Sequence, residues 1–151
     1  MEELKKTSKQ LLGEIQDKHY ADAMKAKEAG KLVAWATSIS PQELLTTMDI
    51  YTVYPENHAA AIGARKCAQP FIDYSEGKGY STDICSYARV NLAYMEIMES
   101  EAANIPKPDL IFCCNNICNT VLKVSSIGLR MVNGRLIPRT DYKGWLYSLT
   151  I

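Results

Sequence analysis

Three of the five cysteines fall within six residues of "DLIFCCNNICNTVLK", as Cys113, Cys114 and Cys118. Thiols this close have three ordinary uses: apolar packing, a metal site or a redox pair. The chain has no CxxC, so neither a zinc knuckle nor a thioredoxin-type pair finds support. Cys113 and Cys114 close an apolar run and read as core, and Cys67, on a helix by pattern, reads the same way. Cys118 is different. It falls in the first turn of the next helix, where the dipole favours a thiolate, the form that binds metal. Cys85, in "STDICSYARVN", also sits at a helix start after a turn-like "GKGYSTD". Two thiolates at two helix starts can share one cluster if the fold brings them to one edge. Plain packing is the competing reading.

Glu56, in "VYPENHAA", follows a strand-like run. A carboxylate there suits either a solvated helix N-terminus or acid/base work near a substrate. Alone, His58 reads as a packing residue at a helix start and Ser38 as a cap. Trp35 and the tyrosines read as core. No GxGxxG, P-loop or GxSxG occurs.

These residues need elements to carry them. Residues 3–29 read as one long helix, with Leu4, Leu11, Ile15, His19 and Ala23 on one face and Gly30 placed as a C′ glycine. "KLVAWAT" is a buried strand by length and composition. In "SISPQELLTTM", Ser40 is an N-cap, Pro41 suits the first helical position and Glu43 completes a capping box. "IYTVYP" is a second strand. "NHAAAIGARKCAQPFIDYSEGKG" is helical with a break at Pro70. "ICSYARVNLAYMEIMESEA" is a strong amphipathic helix. "DLIFCC" is a third strand, and "NNICNTVLK" opens another helix, capped by Asn115 or Asn116.

Strands alternating with helices predict an α/β fold. The expectation is a three-layer parallel sheet with flanking helices, a Rossmann- or flavodoxin-like half domain, with a long N-terminal helix. In such sheets ligands sit beyond the carboxyl ends of the strands. That edge receives Ser38 after the first strand, Glu56-Asn57-His58 after the second, and Asn115, Asn116 and Cys118 after the third.

The chain is 151 residues long, with 17 basic and 17 acidic side chains. That length suits a single domain with a proper core, and the balance suggests no nucleic-acid footprint or polybasic membrane patch. The charged N-terminus resembles neither a signal peptide nor a membrane span. A cytoplasmic protein with reduced cysteines is expected. From Val124 the character changes: four basic residues face one acidic residue, and Asn133-Gly134 is a two-residue hairpin signal.

Four strings in order, "WATSISPQELL", "VYPENHAAAIGARK", "GKGYSTDICSYARVNLAYME" and "PKPDLIFCCNNICNTVLK", resemble the N-terminal part of 2-hydroxyacyl-CoA dehydratase subunits. The strings are similar to those of the alpha-type subunits of 2-hydroxyisocaproyl-CoA and phenyllactyl-CoA dehydratases, with 2-hydroxyglutaryl-CoA dehydratase in the broader family. The resemblance covers residues 10–123. It divides the chain into a family-like domain, 1–123, and an atypical tail, 124–151.

The resemblance implies a strictly anaerobic heterodimer with [4Fe-4S] clusters, each held by three cysteines and open at one iron. Cys85 matches one ligand and Cys118 another. The family's third cysteine lies farther downstream than this chain extends. Ser38 and Glu56 match the active-site serine and glutamate. The implied partners are a second dehydratase subunit, an ATP-dependent iron–sulfur activator protein and a 2-hydroxyacyl-CoA. The implied reaction is a radical elimination of water, started by one injected electron that converts the thioester to a ketyl. The competing expectation is a non-catalytic remnant or subunit-assembly module.

Overall fold

A computed structural model describes residues 6–114, residue 120 and residues 145–148. The elements run α1 (Ser8–Glu28), β1 (Val33–Ala36), α2 (Gln42–Thr47), β2 (Tyr51–Val53), α3 (Pro55–Ala64), α4 (Gln69–Gly77), α5 (Ser86–Ile97), β3 (Leu110–Cys114) and β4 (Trp145–Ser148). The sheet order is β2-β1-β3-β4. β1 pairs in parallel with β2, Val33 opposite Tyr51, and with β3, Trp35 opposite Ile111. The expected parallel three-strand core with helical cover is therefore present. β4 was not expected. It lies in the basic tail and pairs antiparallel with β3, Cys114 opposite Trp145. The Asn133-Gly134 hairpin signal and the helix expected after Asn116 lie outside the described residues.

The two crossovers move in opposite directions over opposite faces, so they share one hand, which the right-handed rule for parallel connections specifies. From β1 the chain passes through α2 to β2 on one side. It then returns past β1 to β3 through α3, α4 and α5 on the other. The side chains of β1 alternate accordingly. Val33 and Trp35 pack with Tyr20, Ile62, Val90 and Tyr94, whereas Ala34 and Ala36 pack with Leu45, Leu110 and Phe112. One face carries a thick helical layer; among the described residues the other carries only short α2.

Local chemistry explains where the helices start and stop. Thr7 caps α1 through a capping box with Gln10, so the helix begins at Ser8 rather than at residue 3. Gly30 takes φ 78°, the left-handed turn that closes it, as expected. Ala23 is buried as predicted, but Leu11 and Ile15 are exposed, because the first half of α1 has no sheet to cover. The break between α3 and α4 falls at residues 65–68, where Lys66 adopts φ 62°. Pro70 instead occupies the first turn of α4, where its missing N–H costs nothing. Cys67 consequently lies in the linker, not on a helix, half-buried with its thiol 3.3 Å from the Arg65 carbonyl oxygen.

In α5, Val90 to Met95 are all buried, more than an amphipathic stripe, because the helix is enclosed by the sheet, α3 and α4. Trp35, Tyr20 and Tyr94 are core as expected, while Tyr87 is exposed. Two side chains tie loops down. Trp35 Nε1 donates to the Pro106 carbonyl at 2.9 Å, and the Tyr94 hydroxyl both accepts from Ile105 N and donates to Ile105 O. Asp109 joins the start of β3 to α1 and β1, accepting from Lys27 Nζ at 2.5 Å and Val33 N at 2.9 Å. No described helix is long and apolar enough to cross a membrane.

His58 packs, as its position suggested. It is fully buried, edge-on to Tyr94 and Tyr20, with Nε2 2.8 Å from the Ala103 carbonyl. Burial lowers its pKa below 6.5, with the Ala103 bond opposing, and burial lowers that of His19 too. Below the unfolded value the unfolded chain binds protons that the folded chain refuses. Stability is therefore full above pH 6.5 and declines as pH falls through the window below it. Urea midpoints measured across that window should fall with acid, and His58→Gln should flatten the decline. An unchanged slope in that variant would contradict this origin.

Candidate active site at the carboxyl edge of the sheet

The order β2-β1-β3 puts a topological switch point between β1 and β3, since the chain leaves β1 toward one face and reaches β3 from the other. The segments beyond the carboxyl ends of these strands border the crevice. After β1 the backbone makes a tight turn, Thr37 to Ser40, closed by Ser40 N on Thr37 O at 2.9 Å. Ser38 occupies a central position of the turn and is exposed. Glu56 lies in the first turn of α3, after β2, where the positive helix end favours a carboxylate.

The fold brings these two together. Glu56 Oε2 accepts a short hydrogen bond from the Ser38 hydroxyl and a longer one, 3.3 Å, from Ser38 N. The serine proton is thus directed at the carboxylate. The remaining lone pairs on Oγ are left to accept a donor from a bound molecule. Such a pair can orient a substrate hydroxyl and pass a proton along.

Ser40 does not cap α2. The cap position is Pro41, with no side-chain hydrogen bond, and the helix begins at Gln42. The Ser40 hydroxyl is used elsewhere. It donates to Phe112 O at 3.2 Å and lies 2.6 Å from Thr37 Oγ1. With its single proton on Phe112, Ser40 must accept from Thr37. Thr37 N also donates to Phe112 O, at 3.0 Å. The carbonyl near the end of β3 therefore anchors both ends of the turn that carries Ser38. Ser40 was visible in the sequence only as a cap, because a serine before Pro-x-Glu signals a cap whatever its hydroxyl finally meets.

Cys85 is the N-cap residue of α5, exposed, with no side-chain capping bond. Its thiol is accessible at the start of the helix. Cys113 is buried, as expected of core. Cys118, Asn115 and Asn116 lie outside the described residues, as does the side chain of Cys114. Among the described residues no three His, Cys, Asp or Glu side chains converge as a metal cage. The donor chemistry at Cys85 suits a thiolate ligand to a cluster, as one corner of a larger set.

Residues 37–139 match the family model described as 2-hydroxyglutaryl-CoA dehydratase, D-component. The (R)-phenyllactyl-CoA dehydratase alpha subunit of Clostridium sporogenes is 51% identical over 118 residues, covering 78% of this chain and 29% of the relative. Lactoyl-CoA dehydratase subunit alpha of Anaerotignum propionicum is 47% identical over 130 residues, covering 77% and 31%. The (R)-2-hydroxyisocaproyl-CoA dehydratase alpha subunit of Clostridioides difficile is 44% identical over 119 residues, covering 79% and 29%. The chain thus spans about three tenths of the length of the curated relatives it matches.

The Ser38–Glu56 contact predicts a local effect. Glu56→Ala should speed amide hydrogen exchange at Ser38 roughly tenfold while leaving Trp35, in the middle of β1, unchanged. Equal protection at Ser38 in both proteins would show that the contact does not hold the turn.

Proposed function

Because the chain belongs to the 2-hydroxyglutaryl-CoA dehydratase D-component family, we propose that it supplies the N-terminal portion of an iron–sulfur 2-hydroxyacyl-CoA dehydratase subunit. The observation that supports this reading is the Ser38–Glu56 pair at the carboxyl edge of the sheet. In this reading residues 1–123 are the N-terminal α/β domain of the subunit and 124–151 an atypical tail, although the family match itself runs on to residue 139.

The reaction takes an (R)-2-hydroxyacyl-CoA to an enoyl-CoA and water. The difficulty is the weakly acidic β-proton. Cys85 and Cys118 would supply two of the thiolates that hold a [4Fe-4S] cluster, which would provide one-electron chemistry at this edge. Ser38 accepts a hydrogen bond from the substrate with its free lone pairs. Glu56 holds the Ser38 proton and keeps the hydroxyl oriented. The same carboxylate can accept the C3 proton and pass it to the departed hydroxide, giving water. A second dehydratase subunit and an ATP-dependent iron–sulfur activator are the partners in this reading. The alpha-subunit names of the relatives support a partner subunit.

A second reading, a non-catalytic assembly module, draws support from Leu11, Leu12 and Ile15, exposed together on α1. The two readings separate in an assembled dehydratase carrying this sequence. Ser38→Ala and Glu56→Gln should each lower kcat/KM about a hundredfold or more at unchanged iron content. Cys85→Ala should lose iron. Wild-type turnover in Ser38→Ala and Glu56→Gln would reject the catalytic reading.

A further inference from the structure

Asn91 sits in the middle of α5, 5% exposed, and its Oδ1 atom has no hydrogen-bond partner among the described residues. Asparagine is a poor choice for a helix interior, and a buried carbonyl oxygen without a donor is destabilising. Neither helix formation nor packing accounts for it. The side chain lines a cavity of about 30 Å³ whose other walls include Trp35, Thr37, Pro55, Met95 and Phe112. Thr37 and Pro55 are the immediate chain neighbours of Ser38 and Glu56. The cavity therefore adjoins the segments that carry the Ser38–Glu56 pair.

Size and lining restrict the occupant. The space holds one water-sized group. Among the described residues no charged side chain lines it, so none of them would retain a carboxylate or phosphate. A carboxamide offers both acceptor and donors, matching a hydroxyl, which also does both. We propose that Asn91 is a further substrate-binding residue, receiving the neutral group that enters as the 2-hydroxyl of the acyl thioester and leaves as water. This rests on the dehydratase reading above. The C2–O bond breaks with hydroxide leaving, the C3–H proton is lost, and the two combine as water, with no net oxidant or reductant. Asn91 binds the oxygen throughout, while Ser38 and Glu56 act on it from the neighbouring turn.

The test pairs activity with stability. Asn91→Leu conserves size and removes the unpartnered Oδ1, so its melting temperature in this chain should equal or exceed that of the wild type. In the assembled dehydratase it should lower kcat/KM about tenfold or more at unchanged iron content. Asn91→Ala, which leaves room but no amide, should lose the same activity. If both variants keep kcat/KM within about twofold while Ser38→Ala loses it, the Asn91 assignment is overturned and the dehydratase reading stands. A melting temperature that falls in Asn91→Leu would make Asn91 a structural residue and overturn it as well. If Ser38→Ala and Glu56→Gln are fully active, the reading fails and this inference fails with it.

Discussion

Two parallel crossovers leave and pass β1 in opposite directions, and both must be right-handed. That constraint drives α2 to one face of the sheet and α3, α4 and α5 to the other. Everything at the carboxyl edge follows from it. The turn after β1 and the first turn of α3 arrive side by side, so Ser38 meets Glu56 although 18 residues separate them. The alternation of Val33 and Trp35 against Ala34 and Ala36 shows the same constraint in the core. Large side chains face the thick helical layer and small ones face α2.

The site depends on one carbonyl more than on any side chain. Phe112 O accepts from Thr37 N and from the Ser40 hydroxyl, so both ends of the Ser38 turn are held by β3. An exposed serine gains a defined position this way, at the cost of two hydroxyls buried beneath it. Glu56 adds a third attachment from above. The carboxylate is favoured there by the start of α3, and its acceptor capacity meets the two donors that Ser38 offers.

Much of this architecture was legible in the residues. Short apolar runs separated by helical periods indicated a parallel sheet, and the capping glycine at Gly30 ended α1 where expected. The reading failed where tertiary contacts override local signals. Ser40 carries a cap signature but spends its proton on Phe112. Pro70 looked like a helix break, yet Lys66 makes the break and the proline begins the next helix. The heptad-like face of α1 predicted burial for Leu11 and Ile15, but periodicity cannot tell where the sheet stops. β4 was hidden because the strand it pairs with, β3, lies far earlier in the chain. Asn91 left no signal at all, since only the fold reveals that its Oδ1 is buried without a partner among the described residues.

Under the proposed function, the carboxyl edge of this sheet binds the reacting end of a 2-hydroxyacyl thioester. An anaerobic crystal structure of the assembled dehydratase with a bound 2-hydroxyacyl-CoA tests it most directly. The account predicts the substrate 2-hydroxyl within hydrogen-bond reach of Ser38, with Glu56 still on the serine. A thioester seated away from that edge, with Ser38 and Glu56 apart, would contradict it.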